Sequence, residues 1–231
     1  MTDSKPPTNT QRKLALFLDI DDVLNNQKHG TELAKTGRYH VYPSPERRAA
    51  CPGLLPYQSF DPRSIADFNT LLRKLSEMDI AVDIVLSSNW RFMMPLAAVC
   101  EVMRTEGLEQ TPCAVTPKDI PLDCWTLGRP PPRFLQTLPR SAEIATWLRQ
   151  AFAEGRAYDY VVVVDDLTSA NLADEPLMRT EHGGPEDKIA GVHFAHCLRP
   201  NMREVDNEAN SERFGFTSKQ VDDILHFIRG K

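Results

Sequence analysis

Short, almost uninterrupted apolar runs alternate with amphipathic segments along this chain. Residues 14–18, 81–86 and 160–164 form the clearest runs, and residues 113–115 and 192–195 form two shorter ones. Strands that are covered on both faces read as continuous apolar runs of this length, whereas half-exposed strands alternate apolar and polar positions. The pattern therefore predicts an α/β fold, in which a three-layer, doubly wound parallel sheet carries helices on both faces.

Three of the amphipathic segments have recognisable helix starts. Asp61 is expected to cap a helix that has Pro62 in its first turn. Ser141 is expected to cap a later helix, and Thr217 with Gln220 matches a capping box for the last helix of the chain. The first two helices separate predicted strands, as the crossover connections of a parallel sheet do.

One long segment fits neither pattern. Residues 26–60 contain four prolines and lack a regular apolar period, so we interpret them as a small, loop-rich insertion, or cap, after the first strand. Residues 1–12 are polar and are expected to form a disordered tail. The remaining chain, residues 13–231, is predicted to be a single domain.

The composition narrows the class of protein without naming an activity. The net charge is −5 over 231 residues, so charge does not indicate a nucleic-acid partner, although local patches leave one open. No apolar run approaches the roughly 18–20 residues of a membrane span, and the N-terminal segment lacks the apolar stretch of a signal peptide. We therefore expect a cytoplasmic location and no membrane partner, and we make no prediction of oligomeric state.

The five cysteines have no CxxC spacing, which argues against a disulfide framework or a zinc site.

Three of the apolar runs end at a residue with useful chemistry. These residues are Asp19, Ser87 and Asp165. The carboxyl ends of parallel strands lie on one edge of a sheet, where ligands bind at the topological switch point, so we expect the three side chains to converge. Clustered carboxylates suit a hard cation such as Mg²⁺, which prefers oxygen ligands. The competing interpretation is that each Asp simply turns the chain after its strand.

The sequence around these strand ends resembles the haloacid dehalogenase-like (HAD) superfamily. Residues 16–24 (LFLDIDDVL) are similar to motif I, an apolar strand followed by DxD. Residues 84–87 (IVLS) resemble motif II, and residues 161–166 (VVVVDD) resemble the acidic motif IV. More narrowly, residues 87–91 (SSNWR) and the helix start at 215–217 are similar to small HAD domains of RNA-repair-type and uncharacterised bacterial proteins.

The chain departs from the superfamily pattern at two places. Asp22 stands where the superfamily usually has Gly, and we expect the turn to survive because Asp tolerates turn conformations. Motif III is normally a Lys or Arg near a helix start. Arg140 is our first choice for it, and Lys118 is the alternative.

The resemblance implies a role for each acid. Asp19 would be the nucleophile that forms an aspartyl-phosphate, and Asp21 would protonate the leaving oxygen and then deprotonate the attacking water. Mg²⁺ would be the cofactor, held by Asp19, the Asp21 main-chain carbonyl and Asp165, with Asp166 as a further ligand.

The same resemblance implies a phosphate-binding set. Ser87 and Arg140 would hydrogen-bond the phosphoryl oxygens. Trp90 is predicted to pack in the core rather than to touch substrate. Four further residues are expected to contact the substrate, namely Ser88, Asn89, Arg91 and Lys118.

The sequence therefore predicts a Mg²⁺-dependent phosphatase that acts through an aspartyl-phosphate on a phosphorylated substrate of unknown identity, a nucleotide or nucleic-acid end being one candidate. Asp21 favours phosphoryl transfer over dehalogenation, because a departing halide needs no proton. The alternative is a non-catalytic or regulatory binding module with the same fold. Asp22 and the unsettled motif III keep that alternative open.

Overall fold

A computed structural model describes residues 11–35, 60–117, 140–166, 192–198 and 214–230. Within these ranges the chain forms β1 (Arg12–Leu18), α1 (Gln27–Lys35), α2 (Pro62–Glu77), β2 (Ile80–Leu86), α3 (Trp90–Met93), α4 (Leu96–Thr105), β3 (Ala114–Val115), α5 (Arg140–Ala153), β4 (Tyr160–Asp165), β5 (Val192–His196) and α6 (Ser218–Arg229). No helix in these ranges is both long enough and apolar enough to cross a membrane.

The five strands form one parallel sheet in the order β3-β2-β1-β4-β5. The chain moves outward from β1 to β3 and then returns to β4 on the other side of β1, so the strand order reverses between β1 and β4. Leu18 pairs with Leu86 of β2 and with Val164 of β4. This register places the residues that follow the three central strands side by side at the switch point of the sheet.

Each face of the sheet is covered by helices, which confirms the predicted three-layer α/β architecture. Leu16 of β1 and Val162 of β4 belong to a core shared with α2, α4 and α6. Phe17 and Val163 point the opposite way and pack against α5, where Phe17 meets Trp147 edge to face at 5.4 Å. Strands buried on both sides have no polar face, which is why their sequences are continuous apolar runs.

The predicted helix starts agree with the structure at two of three places. The Asp61 side chain accepts a hydrogen bond from the Arg63 main-chain N–H at 2.9 Å and caps α2, and the Thr217–Gln220 capping box begins α6. The third prediction is wrong. The α5 helix begins at Arg140, so Ser141 lies inside its first turn and cannot be the cap.

The insertion after β1 is not irregular throughout. Its first part forms α1, whose start is capped because the Asn26 Oδ1 atom accepts a hydrogen bond from the His29 main-chain N–H at 2.8 Å. The two ends of the insertion meet, since the Asp61 main-chain N–H donates to the Leu24 carbonyl at 2.8 Å. Residues 36–59 of the predicted cap, and residues 1–10 of the predicted tail, lie outside the described residues.

Candidate active site

Main-chain hydrogen bonds extend the sheet by one residue beyond its central strands. The Asp19 N–H donates to the Val164 carbonyl at 3.0 Å, and the Ser87 N–H donates to the Leu18 carbonyl at 2.9 Å. These bonds fix the first residue after β1 and the first residue after β2 relative to the end of β4. The predicted convergence of Asp19, Ser87 and Asp165 at one sheet edge is therefore confirmed.

Three carboxylates form a compact cluster at this edge. One oxygen atom from each of Asp19, Asp165 and Asp166 lies within 4.8 Å of the others. Asp19 is 5% exposed and Asp165 is 1% exposed, whereas Asp166 is partly exposed. Acids packed this closely repel each other unless cations lie among them.

Arg140 supplies part of that positive charge. Its Nη2 atom lies 3.9 Å from Asp19 Oδ2, and its Nε atom lies 3.7 Å from Asp165 Oδ2. Burial raises the pKa of Asp19 above its ordinary value, and the Arg140 charge and a hydrogen bond from Ser88 oppose that rise without cancelling it. Arg140, the first choice for motif III, thus lies at the first residue of α5 and beside Asp19. Lys118, the alternative, lies outside the described residues.

The acidic cluster fits a divalent cation. Its ligand atoms are all carboxylate oxygens, which are hard ligands of the kind that Mg²⁺ binds. Two of the acids are buried, and burial disfavours the carboxylate form of Asp19, which costs free energy when that acid is ionised. A cation held by Asp19, Asp165 and Asp166 would offset that cost.

Asp21 stands apart from this cluster and has neighbours of its own. Its Oδ1 atom accepts hydrogen bonds from the Trp90 indole Nε1 at 3.0 Å and from the Asn25 amide Nδ2 at 3.1 Å. Trp90 is fully buried and packs against Phe60, as predicted, but its indole N–H also faces the site. That second role was not visible in the sequence.

Asp22 adopts the conformation that the turn after β1 requires. Its φ is +55°, in the left-handed region where Gly is common and where Asp is among the residues best tolerated. The Asp22 main-chain N–H donates to Asn25 Oδ1 at 3.0 Å, which ties the turn to the chain three residues later. The departure from Gly at this position therefore leaves the turn intact.

The residues after β2 divide into an inward group and an outward group. Ser87 and Ser88 are fully buried, and the Ser87 Oγ atom makes no hydrogen bond with the described residues. Asn89 is exposed at the start of α3 and makes no capping hydrogen bond through its side chain. The predicted contacts of these three residues with substrate stay predictions.

Arg91 is buried between the loop after β2 and helix α5. Its side chain is 1% exposed and forms an ion pair with Glu143 of α5, which is 3% exposed. Its Nη1 atom donates to the Ser87 carbonyl at 2.6 Å and to the Ser88 carbonyl at 2.7 Å. The guanidinium therefore links the loop after β2 to α5, and its predicted contact with substrate stays a prediction.

Glu143 was not selected as a candidate residue from the sequence. It lies one helical turn after Arg140, and burial raises its pKa to about 7 although the Arg91 and Arg140 charges act in the opposite direction. A Glu in the first turn of a helix reads as an ordinary exposed helix-start acid. Its role is recognisable only from its ion pair with Arg91, a residue far away in the sequence.

A comparison with protein families agrees with this geometry. A family model described as "HAD domain in Swiss Army Knife RNA repair proteins" matches residues 15–183, most of the chain. Searches of curated proteins and of solved structures gave no match. The fold and the acidic strand ends define a HAD-type α/β domain, and the chain belongs to the family of HAD domains found in Swiss Army Knife RNA repair proteins.

Proposed function

We propose that this protein is a Mg²⁺-dependent phosphatase that uses Asp19 as its nucleophile. One observation carries the proposal. Asp19 and Asp165 end neighbouring strands, share a compact acidic cluster with Asp166, and meet the guanidinium of Arg140 within 4 Å. HAD-family proteins are in general hydrolases, and this arrangement has the parts that in-line attack on a phosphate needs.

Each residue has a defined task in the proposed reaction. The Asp19 carboxylate attacks phosphorus, while Arg140 and the Ser87 hydroxyl hold phosphoryl oxygens. Asp21 gives a proton to the departing oxygen and later takes one from the water that hydrolyses the aspartyl-phosphate. A Mg²⁺ ion held by Asp19, Asp165 and Asp166, with the Asp21 carbonyl as a further ligand, would supply charge stabilisation for the transferring group.

The family description, rather than the charge of the chain, suggests a substrate class to test. It refers to RNA repair, and the resealing of a broken strand depends on which of its ends carries a phosphate. We therefore propose a phosphomonoester at a nucleic-acid end as the first substrate to test, with free nucleotides second.

The test is hydrolysis of an aryl phosphate, of a 5′-nucleotide and of RNA oligomers that carry a 3′- or 5′-phosphate, each with Mg²⁺ and with EDTA. We expect the wild type to release phosphate only with Mg²⁺, and Asp19→Asn to lose about 10³-fold or more of the rate. Asp22→Asn is a matched control, since it lies in the same turn and tolerates the same backbone conformation. Activity that survives in Asp19→Asn contradicts the nucleophile, and no activity on any substrate favours the non-catalytic binding module.

A further inference from the structure

The two oxygens of the Asp21 carboxylate have different surroundings. Oδ1 accepts both N–H donors, from Trp90 at 3.0 Å and from Asn25 at 3.1 Å. In the part of the chain that the structure describes, no donor is bonded to Oδ2. We propose that Trp90, together with Asn25, is a positioning residue that holds Asp21 by Oδ1 and so makes Oδ2 the oxygen that exchanges the proton. This inference rests on the proposed phosphatase function.

Trp90 is suited to hold a carboxylate in one orientation. Its side chain is fully buried, and its ring packs 5.6 Å from that of Phe60, so the indole has little freedom to turn. The indole N–H can only donate a hydrogen bond, so Asp21 must be the acceptor in this contact. The residue also begins α3, directly after the three residues 87–89 that follow β2.

The orientation of Asn25 is fixed independently. Its Oδ1 atom accepts the Asp22 main-chain N–H at 3.0 Å, and a main-chain N–H can only donate. The amide Nδ2 must therefore be the atom that faces Asp21. The Trp90 indole N–H and the Asn25 amide N–H thus both donate to Asp21 Oδ1.

A carboxylate held in this way can move a proton only through its other oxygen. In the first step, a bond forms between Asp19 and phosphorus, the bond from phosphorus to the substrate oxygen breaks, and that oxygen takes the proton from Asp21 Oδ2. In the second step, a water oxygen bonds to phosphorus, the water proton passes to Asp21 Oδ2, and the Asp19–phosphorus bond breaks. A displacement of about 1 Å at such a group can cost on the order of 10²-fold in rate.

The competing explanation is that Trp90 only fills the core. A core role predicts that removal of the indole lowers stability and affects all substrates alike. A positioning role predicts an effect that depends on the leaving group, because a weakly basic leaving group departs without a proton and a strongly basic one does not.

The experiment compares kcat/KM of wild type and Trp90→Phe on 2,4-dinitrophenyl phosphate and on an alkyl phosphate. The ratio kcat/KM reports the step in which the leaving group departs, so hydrolysis of the aspartyl-phosphate does not obscure it. We expect kcat/KM for the alkyl phosphate to fall about 10–100-fold, which is part of the rate enhancement that general acid catalysis contributes. We expect kcat/KM for dinitrophenyl phosphate to fall less than about threefold.

Trp147→Phe is the matched control. Trp147 is also buried, at 4% exposed, but it packs against Phe17 on the opposite face of the sheet. We expect Trp147→Phe to lower stability while leaving the ratio of the two kcat/KM values at its wild-type level.

If Trp90→Phe does not fold, 3-benzothienylalanine at position 90 keeps the shape of the ring and replaces the N–H with sulfur, and we expect the same selective loss.

The outcomes separate the two proposals. A selective loss on the alkyl phosphate supports the positioning role of Trp90. Equal losses on both substrates, or an unchanged alkyl phosphate value in the benzothienyl variant, overturn that role while the phosphatase function stands. A wild type with no Mg²⁺-dependent activity on either substrate overturns the phosphatase function itself, and the positioning role with it.

Discussion

β1 passes from an apolar to a charged environment within one residue. From Leu14 to Leu18 every side chain is fully buried and apolar, and the next residue, Asp19, is a carboxylate that is only 5% exposed. The strand body is stabilised by removal of apolar surface from water, at about 25 cal/mol per Å². The strand end instead requires charges to be buried, which costs free energy unless partners compensate.

The same contrast holds across the width of the sheet. Below the strand ends the core is built mainly from apolar side chains such as Val162 and Phe17, which need no specific partner. Above them lie buried charges on Asp165, Arg91 and Glu143, each 3% exposed or less. The comparison teaches that the strand bodies stabilise the fold through apolar burial, whereas the strand ends bury charged groups at a cost in stability. The predictions below test that division.

The largest effect on stability is expected in the strand body. Leu16→Ala should lower the free energy of unfolding by about 3–5 kcal/mol, because it leaves a cavity in the core that α2, α4 and α6 share with the sheet. The measurement is urea unfolding followed by circular dichroism. Leu198→Ala is the control, since Leu198 is 37% exposed, and we expect it to cost less than about 1 kcal/mol. Equal losses in the two variants would contradict the division.

The next effect concerns the buried ion pair beneath the site. Glu143→Leu should cost about 3 kcal/mol, because it leaves the Arg91 guanidinium buried without its counter-charge. The double variant Arg91→Met/Glu143→Leu removes both charges and should recover a substantial part of that loss. Urea unfolding of Glu143→Leu, of Arg91→Met and of the double variant completes this double-mutant cycle. A double variant that loses as much as the sum of the single variants would show that the two side chains are not coupled.

At the acidic cluster we expect a mutation to leave stability unchanged or to raise it. Without divalent cations, Asp165→Asn should raise the free energy of unfolding by up to about 1 kcal/mol, because it removes one of three clustered carboxylates. In the wild type, Mg²⁺ at 100 times its Kd should add about 2.7 kcal/mol, and in Asp165→Asn this gain should vanish. Thermal unfolding with EDTA and across a Mg²⁺ series measures both effects. A wild type that is insensitive to Mg²⁺ would contradict the cation site.

The smallest effect on stability is expected at Asp61, where the insertion ends and α2 begins. Burial raises the pKa of Asp61, but the hydrogen bonds and charge of Arg63 outweigh burial and hold the pKa below its ordinary 3.8. The folded state therefore favours the carboxylate, and this stabilisation is present above pH 3.8 and lost as pH falls through the lower folded value.

Asp61→Asn keeps an N-cap oxygen but loses the charge, and Arg63 is half-exposed, so we expect a loss of less than about 1 kcal/mol at pH 7. The difference in unfolding free energy between wild type and variant should shrink as pH falls below 3.8. A difference that stays constant from pH 7 to pH 3 would show that the charge of Asp61 contributes nothing.

The features that could be predicted from the sequence are those that depend on neighbouring residues. The body of β4 is recognisable because a strand buried on both faces must be apolar at every position, and the Thr217–Gln220 capping box is a local pattern of side-chain and main-chain contacts. Asp22 was expected to tolerate its turn for a local reason as well, and its φ of +55° agrees.

The features that sequence reasoning missed depend on contacts between distant residues or on weak local signals. Trp90 and Asp21 are 69 residues apart, and an indole N–H at the end of an apolar ring has no signature in the sequence. The Arg91–Glu143 pair is likewise hidden, because two charged residues near helix starts are usually exposed. The α1 helix was missed because its Asn26 cap precedes a segment with few apolar residues and an internal Gly30.

The central claim is that Asp19 receives the phosphoryl group, and trapping of the intermediate tests it most directly. In Asp21→Asn, hydrolysis of the intermediate should be slow, whereas 2,4-dinitrophenyl phosphate should still react because its leaving group needs no proton. After a rapid acid quench, we expect a burst of about one equivalent of dinitrophenolate per protein and one phosphoryl group, labile to hydroxylamine, on the peptide that contains Asp19. No burst, or a phosphoryl group on any other residue, would contradict the claim.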